Sequence, residues 1–202
     1  MGFELVVAPT VEPISLARGK AHLRVEVSDD DAIITDQILA SRVWAEDYTH
    51  RKIINQTWDL TLDSFPNGAG MMELPFGRTQ SVTSITYTTT AGATATLSGP
   101  SSASAGTDWQ EDLSSDNGSI LAPSYGGSWP TARENTPGAV TIRFVAGYGA
   151  AAGSVPESLI RAMLYRLTDF YELRGSLDQP AFAGKLQSTA ARVADEFVLR
   201  RF

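Results

Sequence analysis

The stretch GAVTIRFVAGYGAAAGSVPESLIRAMLYRLTDFYELRG, residues 138–175, joins the clearest strand pattern in the sequence to the clearest helix pattern. Apolar and polar residues alternate from Val140 to Val145, which predicts a strand with one buried face. Pro156 favours the first turn of a helix, because the amide hydrogen it lacks would be unpaired there. Apolar residues then recur at helical spacing in two rows: Leu159, Met163 and Phe170, and Ile160, Leu164, Leu167 and Tyr171. The stretch therefore predicts a strand, a glycine-rich connector and a helix that together form scaffold.

The segments on either side of this stretch differ in composition. Before it, a short helix is predicted over residues 16–25 with Ser15 as its N-cap, and a second helix from the acidic residues 29–31 to about His50. Residues 55–145 are rich in Thr, Ser, Gly and strand-forming residues, and a further helical pattern includes Leu186 and Phe197. Strands are predicted at residues 57–62, 71–74, 82–88, 93–97, 108–113 and 119–121.

Separation of strands from helices along the chain predicts an α+β fold rather than a βαβ arrangement. We expect one domain over residues 1–202, with a small helical bundle formed by residues 12–54 and 150–202. Residues 55–149 form a central β-rich insertion in this prediction. The Pro-, Gly- and Ser-rich residues 98–137 are the loosest part, and we expect them to become ordered on assembly.

Composition excludes several classes of protein. The 202 residues carry a net charge of −7 and an isoelectric point of about 4.8, whereas a dedicated nucleic-acid-binding protein usually carries a basic face. The sequence holds no cysteine, so disulfides, a thiol nucleophile and a thiolate metal site are excluded. The first ten residues have no basic segment and no long apolar run, so we expect a protein that is made and used without crossing a membrane.

Two groups of residues have the chemistry of metal ligands. Glu46 and His50 stand four apart on the predicted second helix, but His22 is the only other histidine, so a solvated helix end is expected there. An acidic group precedes Asn117-Gly118 and fails the EF-hand pattern, because Asn117 and Pro123 stand where that loop needs Gly and Glu. Its members are Asp108, Glu111, Asp112 and Asp116. A solvated turn is expected, and a looser Ca²⁺ site remains open.

Other patterns give no clear catalytic centre. Gly147, Gly149 and Gly153 match neither phosphate-binding glycine motif, and no lysine accompanies them, so a plain connector is expected. The sequence has no nucleophile elbow around a serine. An alternative function is a carbohydrate-binding or hydrolytic β-rich domain that uses carboxylates and an aromatic platform. The aromatic candidates for that platform are Trp58, Trp109, Trp129 and Tyr125.

The C-terminus offers the main candidate for a partner interface. Phe197, Arg200, Arg201 and Phe202 follow or end an amphipathic helical pattern. Two interpretations stay open: a frayed soluble terminus, or an anchor for a partner, since aromatic and Arg side chains are enriched at binding hot spots.

Several motifs together are similar to phage head-to-tail connector (adaptor) proteins, the longer form found in siphophages, prophages and gene transfer agents. The resemblance covers about residues 12–174. The motifs are PISLA (13–17), AHLRV (21–25), AII (32–34) after acidic residues, WAE (44–46), QTW (56–58), SVTSI (81–85), VTIRFVAGYG (140–149) and VP (155–156).

The resemblance implies a structural protein of the virion neck that is made in the bacterial cytoplasm. Copies would form a ring, expected to be a dodecamer, that docks on the portal protein and bridges to stopper or tail-completion proteins. DNA would pass through the ring without being read. No enzymatic activity, cofactor, metal or membrane contact is implied, and a tail-completion protein of similar build remains a further alternative.

Two contacts are predicted for the assembled ring, one with the portal and one between neighbouring subunits. The segment from Leu186 to Phe202 is expected to engage the portal. The free flank of the helix after Pro156 is expected to contact a neighbouring subunit, in the head-to-tail manner of a ring.

Overall fold

The computed structural model describes residues 2–99, 108–173 and 189–199, which belong to two compact units. The β unit comprises the described parts of Met1–Ala8 and Asn55–Gly147. The helical unit comprises the described parts of Pro9–Ile54 and Tyr148–Phe202. Antiparallel sheets in one unit and helices in the other confirm the α+β class. In the part of the chain that is described, no helix is long and apolar enough to cross a lipid bilayer.

Two antiparallel sheets build the β unit. The five-stranded sheet has the order β1-β2-β8-β4-β5, and the three-stranded sheet has the order β3-β7-β6. The strands are β1 Gly2–Val7, β2 Gln56–Leu62, β3 Met72–Leu74, β4 Thr79–Thr88, β5 Thr94–Thr96, β6 Trp109–Asp112, β7 Ser119–Pro123 and β8 Val140–Ala146. The N-terminal strand β1 belongs to this unit, at an edge of its larger sheet.

Strand β8 occupies the centre of the larger sheet and carries the alternation predicted for it. Val140, Ile142, Phe144 and Ala146 are buried, and the residues between them are half-buried. Strands β2 and β4 pair with β8 on either side, over most of their length. Both are distant from β8 in sequence. The buried side of the strand joins a core that includes Leu121 of the smaller sheet.

Within the described residues, the helical unit contains three long helices and a C-terminal segment. The helices are α1 Leu16–Leu23, α2 Asp31–Thr49 and α3 Glu157–Glu172. Residues 189–194 are also helical and lead into a 3₁₀ turn, Asp195–Phe197. The predicted cap of α1 is confirmed, because the Ser15 hydroxyl accepts the Arg18 amide at 3.2 Å. This helix ends earlier than predicted, since Arg24 adopts the left-handed conformation with φ 59°.

Two acidic residues at the start of α2 bond neighbouring helices. Asp30 is the N-cap residue, but its side chain makes no capping hydrogen bond. Its carboxylate instead accepts the Tyr171 hydroxyl at 2.6 Å, and Asp31 accepts Lys20 at 2.5 Å. The two carboxylates therefore tie α2 to α3 and to α1.

Gly19 allows α1 to lie close to the other helices. A Cβ at this position would stand 3.0 Å from Ile38 Cδ1 and 3.4 Å from Leu167 Cδ2. A glycine inside a helix costs about 1 kcal/mol of helix stability relative to alanine. The structure shows instead that the missing side chain is what permits the contact with α2 and α3.

Candidate functional site

The C-terminal segment is fixed to the end of α2. The Leu199 amide donates to the Thr49 carbonyl at 2.9 Å, and the Tyr48 hydroxyl donates to the Asp195 carboxylate at 2.5 Å. The Arg51 guanidinium donates through Nε to the Phe197 carbonyl at 2.5 Å. Residues 195–199 are therefore held beside the last turn of α2 by both backbone and side-chain bonds.

Of the predicted interface residues, only Phe197 is placed. Its ring is half-buried and packs against the core of the helical unit. Arg200, Arg201 and Phe202 lie outside the described residues. The structure thus shows how the segment that leads to these residues is anchored, and their role with a partner stays a prediction.

The expectation of a solvated end at Glu46 and His50 is wrong for Glu46. The Glu46 carboxylate is buried, and it accepts the Arg42 guanidinium at 3.1 Å and the Ile53 amide at 3.2 Å. Lys52 Nζ lies 3.6 Å from its second oxygen. His50 is exposed and ends the helix with a positive φ of 56°. Glu46 therefore belongs to a structural ion-pair network, because its oxygens are directed at donors of its own chain.

The Arg42 side chain extends this network to the chain before α1. Its Nε donates to Glu12 at 2.8 Å. Burial lowers the pKa of Arg42, but the hydrogen bonds and charges of Glu12 and Glu46 outweigh it and leave the pKa raised. Arg42 thus ties Glu12, before α1, to α2, while Glu46 bonds Ile53, after α2. Arg42 and Glu46 stand four residues apart, which is the spacing of a helical ion pair, but only the structure shows that both are buried.

The acidic group of the β unit is divided among separate contacts. Asp108 accepts the Ser98 amide at 2.7 Å, Asp112 accepts the Ser114 hydroxyl at 2.6 Å, and Asp116 lies 3.6 Å from Arg78. Burial raises the pKa of Glu111, whose carboxylate lines a groove of about 260 Å³ beside β6 and β7. Among the residues that the structure describes, no three potential ligands stand close enough to hold a metal ion.

The aromatic platform of the carbohydrate alternative is not formed. Trp109 and Trp129 belong to the core of the β unit, where the Trp129 ring stacks on Phe65 with centroids 5.1 Å apart. Tyr125 is 97% exposed at a turn. Because the two tryptophans are enclosed by apolar neighbours, they have no free face for a sugar.

The glycine-rich connector after β8 begins with two backbone hydrogen bonds, made by the amides of Gly147 and Tyr148. The Gly147 amide donates to the Arg78 carbonyl at 3.0 Å, and the Tyr148 amide donates to the Ile53 carbonyl at 3.1 Å. Gly147 has a φ of 146°, and a Cβ at Gly149 would lie 2.5 Å from the Ser154 Cβ. These glycines are needed for the course of the chain, which agrees with a plain connector.

Three large exposed apolar side chains of the helical unit lie together on α2, and Val11 and Val27 are exposed outside the helices. Ile33, Leu39 and Val43 are 43%, 45% and 43% exposed. The exposed positions of α3 are polar and include Arg161 and Glu172. The free apolar flank predicted for α3 is not observed on that helix, because most of its apolar residues pack in the core of the helical unit with α1 and α2, and Phe170 is half-buried.

Comparison with known proteins supports the resemblance drawn from the sequence. Residues 13–105 match the family described as Phage gp6-like head-tail connector protein, which confirms the resemblance over those residues. No curated protein sequence shows significant similarity to the chain.

Three solved structures are similar over 100% of this chain and 97% of the other chain, each at 22% sequence identity. They are the neck of an empty GTA particle computed with C6 symmetry, with a TM-score of 0.77, and the virion of a native gene transfer agent (GTA) particle, with 0.73. The third is the neck of a native GTA particle computed with C12 symmetry, with a TM-score of 0.72. These similarities show a shared fold along the whole chain.

Proposed function

We propose that this chain is a head–tail connector that forms a ring in the neck of a phage-like particle. In this role it docks on the portal protein, bridges to a stopper or tail-completion protein, and lines part of the channel through which DNA passes. It acts as a structural component and performs no catalysis.

The observation that carries this proposal is the agreement of two comparisons. The family match covers residues 13–105, and the structural similarity extends over the whole chain to components of GTA necks and virions. C6 and C12 symmetry in those necks supports a ring, and twelve copies is the number that the C12 neck suggests. The net charge of −7 is compatible with a conduit, since an acidic surface does not hold DNA by releasing counterions.

Location in the particle is the direct test. We expect particles purified from the producing cells to contain the chain at twelve copies, and a label fused to its N-terminus to mark the neck in electron micrographs. The capsid protein of the same particles provides the copy-number standard. Absence of the chain from particles that are otherwise complete would contradict the proposal.

The C-terminal residues are proposed to contact the portal. The anchoring of residues 195–199 at the end of α2 supports this, because it gives the last three residues a defined starting point. Arg and Phe side chains also have the chemistry of interface hot spots.

Replacing Arg200, Arg201 and Phe202 together with alanine is expected to weaken binding to purified portal rings by about ten-fold or more, as hot-spot residues do. The measurement is binding to immobilised portal, with Tyr125→Ala as a control for a fully exposed aromatic elsewhere. Phe197 is left unchanged, since it supports the helical core. Unchanged portal binding by the triple variant would remove the C-terminus from the contact and leave the connector function standing.

A further inference from the structure

We propose that the outer face of α2 binds the exposed face of α1 in a second copy of this chain, and that this contact repeats around the ring. The inference rests on the proposed connector function and names the surfaces by which copies join. The outer face of α2 is defined by Ile33, Asp36, Leu39, Val43 and Asp47. The exposed face of α1 is defined by Ala17, Arg18, Ala21 and Arg24.

The outer face of α2 is apolar at its centre and open. Leu39 and Val43 are four residues apart, so their side chains lie next to each other on the helix surface. Ile33 precedes them, and each of the three is more than two-fifths exposed. Large apolar side chains grouped on one face, rather than scattered singly, are typical of an interaction surface.

Charge makes the outer face of α2 selective. Asp36 and Asp47 lie on the same side as the exposed apolar residues, and both are exposed. The only basic residue of α2 is Arg42, which is buried and engaged with Glu12 and Glu46. A partner for this face should therefore combine small or apolar side chains with positive charge.

The exposed face of α1 has that complementary chemistry. The helix and its C-cap contain Arg18, Lys20, His22 and Arg24 but no acidic residue. Ala17 and Ala21 are exposed, and they leave space for larger side chains such as Leu39 and Val43 of another copy. Arg18 already bonds Glu157 of its own chain, so Arg24 is the position best suited to a charge test.

One copy cannot satisfy both faces by itself. Gly19, on the buried side of α1, contacts Ile34 and Ile38 on the buried side of α2. The two exposed faces therefore turn away from their shared core. Two different surfaces that bind each other form a heterologous contact, which generates a closed ring when the rotation between copies closes.

Charge reversal tests the contact in the assembled particle. Two double variants are made, Asp36→Lys with Asp47→Lys, and Ala21→Glu with Arg24→Glu. Each should lower the copies per particle by at least ten-fold, because like charges then meet across the contact. A chain with all four changes restores opposite charges and should return to within two-fold of the natural number. A double reversal on α3, Arg161→Glu with Glu172→Lys, is the matched control and should change nothing.

Cysteine pairs give a second, independent readout, since the chain contains no cysteine of its own. A chain with both Ala21→Cys and Val43→Cys should form a ladder of disulfide-linked oligomers when particles are oxidised, and each single variant should remain monomeric. Dimers of the single Val43→Cys variant would indicate that two α2 faces meet, which contradicts the proposal.

A variant could be missing from particles because it misfolds, so its stability is measured separately. Thermal unfolding of each purified variant is compared with that of the unchanged chain, and only variants within a few degrees are used. If the double reversals enter particles at the natural number and no ladder forms, the proposed contact is overturned while the connector function stands. If the unchanged chain is itself absent from particles, the proposed function fails.

Discussion

Trp109→Ala should lower the free energy of unfolding of the β unit by about 3–5 kcal/mol, the cost typical of removing a large aromatic side chain from a core. Trp109 is 1% exposed and begins β6, in the smaller of the two sheets. Its ring is so closely enclosed that a Cβ on Gly99 would lie 2.5 Å from the indole nitrogen. Urea denaturation followed by circular dichroism in the far ultraviolet measures the change.

Two further variants make this result specific. Trp109→Phe should cost about 1–3 kcal/mol, because it keeps an aromatic ring and removes an indole N–H that has no hydrogen-bond partner among the described residues. Tyr125→Ala should change stability by less than about 0.5 kcal/mol, since that side chain is 97% exposed. Full stability of Trp109→Ala, together with loss of binding to a glycan, would contradict the core role and revive the carbohydrate alternative.

Glu46→Ala should destabilise the helical unit by about 3 kcal/mol, at the lower end of the cost of breaking a buried ion pair. The change removes the acceptor of the Arg42 guanidinium and of the Ile53 amide, and it removes the carboxylate beside Lys52. The cost stays at the lower end because Glu12 still accepts two hydrogen bonds from Arg42. The same denaturation experiment measures it, with amide hydrogen exchange to assign the loss to the helical unit.

The matched control is an ion pair in solvent. Glu157→Ala removes the partner of Arg18, but both side chains are largely exposed, so less than about 1 kcal/mol should be lost. The loss of stability in Glu46→Gln should lie between those of Glu46→Ala and Glu157→Ala, because an amide oxygen can still accept the Ile53 amide. Equal effects of Glu46→Ala and Glu157→Ala would mean that burial of the network contributes nothing.

Local patterns in the sequence predicted much of the fold correctly. The alternation of β8 appears as a strand with every second residue buried, and the helix after Pro156 appears as Glu157–Glu172. Ser15 caps α1 as expected. These features depend on residues within one or two turns or pleats of each other, so the sequence contains the information that determines them.

Features that depend on distant partners were missed. The exposed apolar face of α2, with Ile33, Leu39 and Val43, was not predicted from the sequence. Trp109 and Trp129 were candidates for a binding platform in the sequence, but both lie in the core of the β unit. Glu46 looked solvated at a helix end, although Arg42, Lys52 and the chain at Ile53 surround it.

By itself, the sequence determined the fold class, the three main helices, the strands from β2 to β8, and a resemblance to head–tail connectors that the family match confirms over residues 13–105, but it did not predict the N-terminal strand β1. Periodicity sufficed for these, because the repeat of apolar residues follows the geometry of a single strand or helix. Only the tertiary structure decided which helix keeps an exposed apolar face: most apolar residues of α3 pack inside the helical unit, and the exposed apolar face belongs to α2. The physical reason is that an apolar face becomes buried only by contact with another element. Which apolar residues stay exposed therefore depends on how the helices pack together.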